Sequence, residues 1–400
     1  MRGSEARRQA TQSPSKAKLR AHRAAGRRAR APAQSLPPRC YTSPEFYALE
    51  VERIFHREWL CVGRVEQVSA PGDYFSIDLL GEPLVVVRDQ EGRIRALSRV
   101  CRHRAMLVVS GAGNARSFIC PYHAWTYGLD GRLAGAPEMA RTPGFDPSSC
   151  RLPEIPIELW EGFIFVNLGG GAQPLALRLE GLARLLRNWS VAGMEGGRSL
   201  DYDCDWNWKI LADNFIECYH HIGIHRESLE PVMPARLTWI EDTDGPYSVV
   251  HMPFREGADV TAFTRTDGDV PRLPAIEGLS AEERRRGSLI HVFPCLLMSV
   301  YPERMEYYLV IPRGPERVWI RKSFCVPPSA RAHSGFERAL RVVADEYIKF
   351  HPEDESVCRS MQRGMSSRYA EAGPFCHMEA PLARFARYVR ERVGRSAGLA

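Results

Sequence analysis

The sequence lacks the features that mark several common classes of protein. No apolar stretch approaches the roughly 20 residues that a membrane-spanning helix needs, so we expect no membrane insertion. No glycine-rich dinucleotide motif is present, which excludes a nucleotide-binding unit of that kind. The eleven cysteines are odd in number and unevenly spaced, so they do not predict a disulfide framework. Reduced cysteines in a chain of 400 residues favour a cytoplasmic protein with two domains.

Excess positive charge is confined to the start of the chain. Residues 1–43 contain eleven Lys or Arg and a single acid, Glu5, so this segment carries about +10. The rest of the chain has 43 basic and 47 acidic residues, a net charge of −4. The formal charge of +6 therefore belongs to the segment, and the remainder offers no basic patch that would predict nucleic-acid binding.

The basic segment 1–43 is rich in Arg, Ala, Ser and Gln and cannot bury enough apolar surface to fold. We expect a disordered tail without a part in chemistry, and deletion of residues 1–40 should leave turnover unchanged. An Arg-rich segment poor in acids is also typical of an organelle transit peptide, which is the alternative for location. A weak nucleic-acid-binding arm is a further alternative. Order is predicted to begin at Ser43, which caps a helix that runs to Phe55.

Two short pairs of residues predict a metal site. Cys101-x-His103 and Cys120-x-x-His123 each supply one thiolate and one imidazole. A zinc site usually takes its cysteines from one loop and its histidines from another. The mixed pairs instead suit a [2Fe–2S] cluster with two Cys on one iron and two His on the other. Cys101, His103, Cys120 and His123 are therefore the candidate cluster ligands.

The residues around these pairs resemble the two cluster loops of Rieske proteins. The loops read CRHR at residues 101–104 and CPYHAWTY at residues 120–127. Pro121 and the aromatic residues after it are expected to form a rigid, apolar cover that keeps water off the cluster. Position 124 is Ala, where Gly is also common in the family.

The pattern along the chain predicts two domains of different class. Short strands and turns run from Trp59 to about Leu168 and contain both cluster loops, so residues 44–168 are the expected Rieske domain with a leading helix. Residues 173–395 mix helices with strands, which predicts helices against one antiparallel sheet. The predicted fold class is α+β, an N-terminal all-β Rieske [2Fe–2S] domain followed by a helix-plus-antiparallel-sheet catalytic domain.

Hydrophobic periodicity predicts the elements of the second domain. Helical patterns cover residues 175–186, 206–219 and 334–350. Strands are predicted at residues 237–241, 247–252, 289–293, 296–301, 307–311 and 318–325.

A second metal site is predicted within residues 213–225, which read DNFIECYHHIGIH. Two His and one carboxylate on one face of an iron leave the other face open for dioxygen and substrate. Helical spacing alone favours His221 and His225, which are one turn apart. If Gly223 ends the helix, His220 and His225 converge instead and His221 points aside.

This segment resembles the Glu-x-x-His-x-x-x-x-His motif of the catalytic subunits of Rieske oxygenases. The resemblance implies that His220 and His225 bind a mononuclear Fe(II) and that His221 is a structural residue. It covers roughly residues 44–390, because both metal motifs occur in the order that the family has.

The carboxylate ligand must come from another part of the chain. Residues 350–358, FHPEDESVC, followed by Gln-Arg-Gly, resemble the segment that delivers this ligand in the family. The resemblance implies Asp354 as the third iron ligand. Its neighbours Glu353 and Glu355 are interpreted as ordinary solvated acids.

Glu217 is predicted to lie one turn before His220 on the same helical face. In related enzymes an acid at this place hydrogen-bonds a cluster histidine of the neighbouring subunit. The resemblance therefore implies that Glu217 connects His123 of one subunit to His220 of the next, within a homotrimer. The alternative is a plain Glu on a helix surface.

The two motifs together imply the catalytic α subunit of a Rieske-type non-heme iron oxygenase. Electrons from NAD(P)H enter through a separate reductase, with or without a ferredoxin, because the chain has no dinucleotide motif and no all-cysteine cluster of its own. They pass through the [2Fe–2S] cluster to the Fe(II), which uses O2 to hydroxylate or N-dealkylate a small organic substrate.

The residues of both motifs resemble those of choline, glycine betaine and carnitine oxygenases more than those of naphthalene-type dioxygenases. The expected substrate is therefore a quaternary ammonium compound. An aromatic cage for such a cation has six candidate residues: Trp239, Tyr247, Phe293, Tyr301, Tyr307 and Trp319. The alternative is an α subunit that hydroxylates aromatic rings. A Rieske electron carrier with a vestigial second domain is the candidate from a different class, and the intact iron triad argues against it.

Overall fold

The leading helix begins where the sequence predicts it. The structure, a computed structural model, describes residues 32–257 and 272–394. The Ser43 hydroxyl accepts a hydrogen bond of 3.1 Å from the backbone N–H of Phe46 and caps helix α2, Pro44–Glu50. A π-helical turn, Val51–Phe55, continues this helix and buries Phe55 completely. A single turn, α1 (Arg39–Thr42), precedes the cap.

Residues 34–43 are folded, which corrects the predicted extent of the tail. Leu36, Cys40 and Tyr41 are each 2% exposed and belong to the largest hydrophobic core. Tyr41 also donates a hydrogen bond of 2.8 Å to Asp213. The prediction used the average composition of residues 1–43. Almost all of the basic residues of this segment precede the three apolar side chains, so the average did not reveal them. Residues 1–31, to which the rest of the prediction applies, lie outside the described part of the chain.

Short antiparallel strands form the first domain, as predicted. Two sheets have the orders β5-β2-β3-β4-β9 and β1-β11-β10, and a smaller sheet, β6-β7-β8, carries the second cluster loop. The strands are β1 (Leu60–Arg64), β2 (Asp73–Leu79), β3 (Glu82–Arg88), β4 (Ile94–Ser98), β5 (Ala112–Asn114), β6 (Phe118–Ile119), β7 (Thr126–Tyr127), β8 (Leu133–Gly135), β9 (Glu154–Ile155), β10 (Ile157–Trp160) and β11 (Phe163–Val166).

One seven-stranded antiparallel sheet forms the centre of the second domain, with the order β12-β18-β17-β16-β15-β14-β13. All six predicted strands are present, and each neighbouring pair from β13 to β18 is consecutive in sequence. The strands are β12 (Glu195–Cys204), β13 (Trp239–Ile240), β14 (Tyr247–Pro253), β15 (Arg286–Val292), β16 (Leu296–Val300), β17 (Met305–Gly314) and β18 (Arg317–Val326).

Helices pack against this sheet, which confirms the predicted α+β class. They are α3 (Leu175–Arg178), α4 (Glu180–Leu186), α5 (Trp208–Phe215), α6 (Pro328–Arg331), α7 (Phe336–Met365) and α8 (Ala380–Val393). No helix in the described ranges is both long and apolar enough to cross a membrane. From Gln34 onward the chain forms one compact unit, so the domain limits 44–168 and 173–395 stay predictions.

The elements that differ from their prediction include α7, β12 and α8. Helix α7 continues through Pro352 to Met365, although proline usually ends a helix. Tyr347, Cys358 and Gln362 on both sides of Pro352 are buried, and we infer that this burial compensates for the lost backbone hydrogen bond. Strand β12 was missed because its charged residues alternate at a half-exposed sheet edge. Helix α8 was also missed.

Candidate metal centres

Backbone hydrogen bonds close the two cluster loops in the same way. In the first loop, Ala105 N–H donates to the Cys101 carbonyl at 3.0 Å, and Cys101 N–H donates to the Met106 carbonyl at 2.8 Å. The second loop repeats both bonds at the same lengths, with Ala124 and Trp125 in the corresponding places. Ala105 and Ala124 have φ angles of 57° and 59°, a left-handed conformation that L residues adopt at a cost. The loops are therefore held in a specific, strained shape.

The four predicted cluster residues lie together, with the thiols inside and the imidazoles outside. Cys101 and Cys120 are 3% and 2% exposed, whereas His103 and His123 lie at the surface with ring centroids 4.6 Å apart. The buried ring of Trp125 stacks beneath His103 at 4.8 Å. This donor set, two thiols and two imidazoles from paired loops, fits a [2Fe–2S] cluster, which the thiols would hold from the buried side and the imidazoles from the exposed side.

Tyr127 supports the thiolate form of Cys101. The Tyr127 hydroxyl lies 3.3 Å from Cys101 Sγ and accepts a hydrogen bond of 3.0 Å from the backbone N–H of Arg102. Burial alone would raise the pKa of Cys101, but the hydrogen bonds from Tyr127 and from the backbone of His103 lower it below its ordinary value. A metal-binding thiol needs this shift, because the thiolate is the ligand.

The predicted helix 206–219 is shorter than expected. Helix α5 starts at Trp208, where the Asn207 side chain caps Lys209 N–H, and it ends at Phe215. The Glu217 carboxylate then accepts hydrogen bonds from the backbone N–H groups of Tyr219 and His220 and so starts a separate turn, Tyr219–Ile222. Glu217 and His220 therefore do not share a helix face, and the capping contact brings them together instead.

His220, His225 and Asp354 meet at one point, as the resemblance implies. Their ligand atoms all lie within 4.8 Å of one another. Asp354 Oδ1 lies 3.0 Å from His225 Nε2 and 4.0 Å from His220 Nε2. His221 points elsewhere, with Nδ1 3.2 Å from the Met233 carbonyl, and is not part of this group. Two imidazoles and one carboxylate fit a mononuclear iron with open coordination positions.

Each imidazole of this triad is held on its far nitrogen by a carboxylate. His220 Nδ1–H donates to Glu217 Oε1 at 2.6 Å, and His225 Nδ1–H donates to Glu353 Oε2 at 2.6 Å. The Ser228 hydroxyl also donates to Glu353 Oε2, at 2.8 Å. Such contacts select the tautomer that leaves Nε2 free for a metal and fix the ring orientation.

Glu353 is therefore a functional candidate that the sequence interpretation missed. It was taken for a solvated acid because the resemblance assigns the ligand role to its neighbour Asp354. A metal ligand and its supporting acid at neighbouring positions form no repeating pattern that could be recognised in the sequence. Glu355 agrees better with its interpretation as a solvated acid, because it forms an ion pair of 2.6 Å with Arg359, one turn along α7.

The charges of the triad reinforce one another. Burial alone would raise the pKa of Asp354, but the hydrogen bond from His225 and the nearby His220 and Asn214 lower it. Burial alone would lower the pKa of His225, but its contacts with Asp354 and Glu353 raise it. The carboxylate is thus kept ionised, which is the form that binds a cation.

A pocket opens beside the triad between α5, α7 and the seven-stranded sheet. Its apolar lining includes Leu211, Phe215, Met233, Met252, Leu289 and Phe350. Its polar lining includes the triad together with Asn214, Tyr308, Lys322, Tyr347 and His351. A small organic molecule in this pocket would touch the open side of the triad.

Of the six candidate cage residues, Tyr301 lines the pocket, and the other five are not among the described residues that do so. Strand β17 shows the reason, because side chains alternate between the two faces of a sheet. Tyr308 faces the pocket, whereas Tyr307 faces the opposite core and packs on Phe163 at 5.1 Å. The sequence shows the alternation but not which of the two faces borders the site.

Two protein families match the chain. The Rieske [2Fe-2S] domain matches residues 58–151, and the ring hydroxylating alpha subunit (catalytic domain) matches residues 191–395. A Rieske domain joined to this catalytic domain defines an oxygenase of the Rieske non-heme iron class. The chain belongs to the ring hydroxylating alpha subunit family, since that match covers more than half of its residues.

Curated relatives include three kinds of monooxygenase. The chain is 26% identical to choline monooxygenase of Arabidopsis thaliana over 380 residues, which are 88% of this chain and 81% of the relative. It is 34% identical to the carnitine monooxygenase oxygenase subunit of Escherichia coli (strain K12) over 191 residues, 47% of this chain and 51% of the relative. It is 28% identical to the glycine betaine monooxygenase oxygenase subunit of Chromohalobacter salexigens, over 85% of this chain and 81% of the relative.

Solved structures share the fold. A quaternary ammonium Rieske monooxygenase, described for carnitine oxidation and inter-subunit electron transfer, matches with a TM-score of 0.77 and 25% identity over 90% of this chain and 96% of that chain. Naphthalene 1,2-dioxygenase from Rhodococcus sp. also matches with a TM-score of 0.77, at 24% identity over 91% of this chain and 95% of that chain. The protein is thus a Rieske oxygenase of a small organic substrate, with a [2Fe–2S] cluster, a mononuclear iron, O2 and reductase-supplied electrons.

Proposed function

We propose that Cys101, His103, Cys120 and His123 hold the [2Fe–2S] cluster and that His220, His225 and Asp354 hold the iron. The observation that carries this proposal is the convergence of two imidazoles and one carboxylate, within 4.8 Å, at the wall of an apolar pocket. When bound, the cluster carries electrons and the iron activates dioxygen for insertion into the substrate. The residues of the chain then hold the ligands, exclude water and orient the substrate.

The two supporting carboxylates hold the iron ligands in place. Glu217 and Glu353 hold the Nδ1–H groups of His220 and His225, so both rings present Nε2 to one point. Asn214 hydrogen-bonds Asp354, which limits the rotation of the third ligand. The apolar side chains of the wall keep the substrate carbon close to the open side of the triad and water away from it.

We propose a quaternary ammonium compound as the substrate, hydroxylated or N-dealkylated by one oxygen atom. The supporting observations are the choline, carnitine and glycine betaine monooxygenases among the relatives. In addition, Phe215 and Phe350 offer aromatic faces in the pocket, which attract a cation without hydrogen-bond donors. Hydroxylation of an aromatic ring is the second candidate, favoured by the Leu and Met side chains of the same lining.

The assembly proposed is a homotrimer that receives its electrons from a separate reductase. Large apolar side chains are exposed at both metal loops: Ile119 at 57% and Tyr122 at 52% beside the cluster, Tyr219 at 45% and Ile222 at 50% beside the triad. A contact between the cluster loop of one copy and the triad loop of the next would cover both groups. Glu217 would then lie between the cluster of one subunit and the iron of its neighbour.

The proposed location is the cytoplasm. No disulfide joins any of the eleven cysteines, and nine of them are buried, which suits a reducing compartment. The Arabidopsis thaliana relative is chloroplastic, so an organelle is the alternative if residues 1–31 act as a transit peptide.

A substrate screen under labelled dioxygen tests the proposed function. The purified holoenzyme is supplied with NADH, a surrogate reductase, ¹⁸O2 and one of a set of quaternary ammonium or aromatic compounds. We expect trimethylammonium compounds to give an alcohol that carries ¹⁸O, or a dealkylated amine with an equal amount of aldehyde, both detected by mass spectrometry. Consumption of NADH without hydroxylated or dealkylated product from any compound, with cluster and iron intact, would contradict the proposal.

A further inference from the structure

A buried ammonium group lies in the wall of the pocket and has no role in the account above. Lys322 on β18 pairs across the sheet with Tyr308 on β17, and both side chains line the pocket. The Lys322 side chain is 1% exposed, and its Nζ lies 4.1 Å from the ring centre of Tyr308 and 4.9 Å from that of Tyr347. A lysine at such a position is uncommon, because burial of a charge is costly unless the charge is compensated.

The ion pairs behind Lys322 form a chain of two cations and two acids, because Arg304 also pairs with Glu303, but they leave N–H donors of the Lys322 ammonium unfilled. Glu306 Oε2 accepts from Lys322 Nζ at 2.5 Å, while Glu306 Oε1 accepts from Arg304 Nε at 2.6 Å. Both oxygens of this carboxylate are therefore engaged by cations of the chain. The ammonium has three N–H donors, and within the described residues Glu306 is its one hydrogen-bond acceptor. Burial lowers the pKa of Lys322 even though Glu306 opposes this effect.

Lys322 contacts α7 at a point two turns before Asp354. Tyr347, whose ring Lys322 contacts, precedes Asp354 by two turns on α7, a distance of about 10 Å along the helix. Burial raises the pKa of the Tyr347 and Tyr308 hydroxyls, and the negative charge of Asp354 raises it further. A small molecule that reaches from the triad to Lys322 would span several bonds.

We propose that Lys322 anchors a carboxylate of the substrate, at the end remote from the carbon that is oxidised. This inference rests on the proposed oxygenase function and refines its substrate class to organic carboxylates, including trimethylammonium carboxylates. An anion would accept from the remaining ammonium donors in a dry site, where charge-assisted hydrogen bonds are strong. A substrate cation is disfavoured beside Lys322 and is directed toward Phe350, whose ring centre lies 6.1 Å from that of His225.

A second buried lysine provides a matched control. Lys209 on α5 pairs with Glu50 at 2.7 Å, both side chains are 0% exposed, and aromatic rings surround its ammonium as they surround Lys322. Lys209 is not among the described residues that line the pocket. Loss of its charge should perturb stability much as loss of Lys322 does, without any effect on ligand choice.

The test measures ligand choice with pairs of probes that differ in one group. Calorimetry on the holoenzyme compares trimethylglycine with choline, 4-(trimethylammonio)butanoate with its alcohol, and 3-phenylpropanoate with 3-phenylpropanol. We expect at least one carboxylate to bind, and to bind about 10- to 100-fold more tightly than its alcohol, as for one hydrogen bond to a charged group. Lys322→Met should abolish that ratio, and Lys209→Met should keep it. The double variant Lys322→Met/Glu306→Gln, which leaves no unpaired carboxylate, guards against misfolding.

The inference is overturned by equal affinity for carboxylate and alcohol in the wild type, by a ratio that survives in both Lys322 variants, or by failure of every carboxylate to bind. These outcomes differ from failure of the proposed function. An enzyme that oxidises neutral or cationic compounds under ¹⁸O2 but shows no carboxylate preference retains its function and loses only the anchor. An enzyme that binds carboxylates through Lys322 yet forms no hydroxylated or dealkylated product retains the anchor and loses the function.

Discussion

At the scale of single residues, the iron site depends on acids that do not touch the metal position. Glu353 is the clearest case, because its contact with His225 is short and is supported by Ser228. Removal of an outer carboxylate from a metal-binding histidine typically weakens metal affinity 10- to 100-fold. The side chain thus determines how well His225 presents Nε2, and its effect should appear in iron binding before it appears in stability.

The variant Glu353→Gln tests this role. We expect iron affinity to fall by about 10-fold or more, because an amide oxygen accepts the Nδ1–H bond less strongly than a carboxylate. Iron retained against a competing chelator, measured with the cluster signal as internal reference, gives the affinity. Glu346→Gln on the same helix, which only breaks an ion pair with Lys349, should bind iron normally. Equal retention in the two variants would make Glu353 an ordinary surface acid.

His291 governs part of the response of the fold to acid. It is completely buried, with Nε2 2.8 Å from the Pro294 carbonyl, and burial lowers its pKa to about 4. The unfolded chain binds this proton near pH 6.5 and the folded chain does not, so the free energy of unfolding falls as the pH falls through this window. We expect a loss of about 1.4 kcal/mol per pH unit from this group below pH 6.5. In His291→Gln this component should be absent, as measured by urea unfolding at pH 7.5 and 5.5; parallel losses in both proteins would contradict the assignment.

At the scale of elements, pattern and motif carry the prediction a long way. The six strands of the second domain and the cluster loops follow from alternation and from spacing that a single segment contains. The predictions that fail are those that depend on packing between segments. The face of β17 that borders the pocket, the continuation of α7 beyond Pro352 and the contact of Glu353 with His225 all require knowledge of which elements are neighbours.

The segment 34–43 shows the same limit and leads to a revised prediction. It joins the two helices that frame the triad, since Tyr41 binds Asp213 on α5 and accepts from Gln362 on α7. Deletion of residues 1–42 should lower the free energy of unfolding by at least about 4 kcal/mol, because three buried side chains are lost at about 1.5–3 kcal/mol each. Deletion of residues 1–33 should leave it unchanged. Urea unfolding of both proteins measures the difference, and equal stability would restore the original boundary.

At the scale of the whole molecule, the proposed trimer makes Glu217 a connection between subunits. Within the chain, one oxygen of Glu217 holds His220 and the other accepts from two backbone N–H groups. Each carboxylate oxygen has two lone pairs, so a cluster histidine of the neighbour can add one more bond. A glutamine cannot serve all of these donors, because its NH2 group accepts nothing.

Glu217→Gln should therefore keep cluster and trimer and weaken iron binding about as much as Glu353→Gln does. In protein whose triad has been loaded with iron, electron transfer from cluster to iron should slow by orders of magnitude. Single-turnover kinetics on pre-reduced enzyme isolate this step, and reduction of the cluster by the reductase serves as the control that stays normal. Light scattering verifies the trimer. Transfer at the wild-type rate in the Gln variant would assign Glu217 to the support of His220 alone.

The central claim is that one chain holds a Rieske cluster and a separate iron on His220, His225 and Asp354, and iron stoichiometry tests it most directly. Wild-type protein should contain about three iron atoms per chain, two in the cluster and one on the triad. Asp354→Ala and His220→Ala should each contain about two, with an unchanged electron-spin signal from the reduced cluster, while His221→Ala should keep about three. A full complement of iron in Asp354→Ala, or its loss in His221→Ala, would contradict the account.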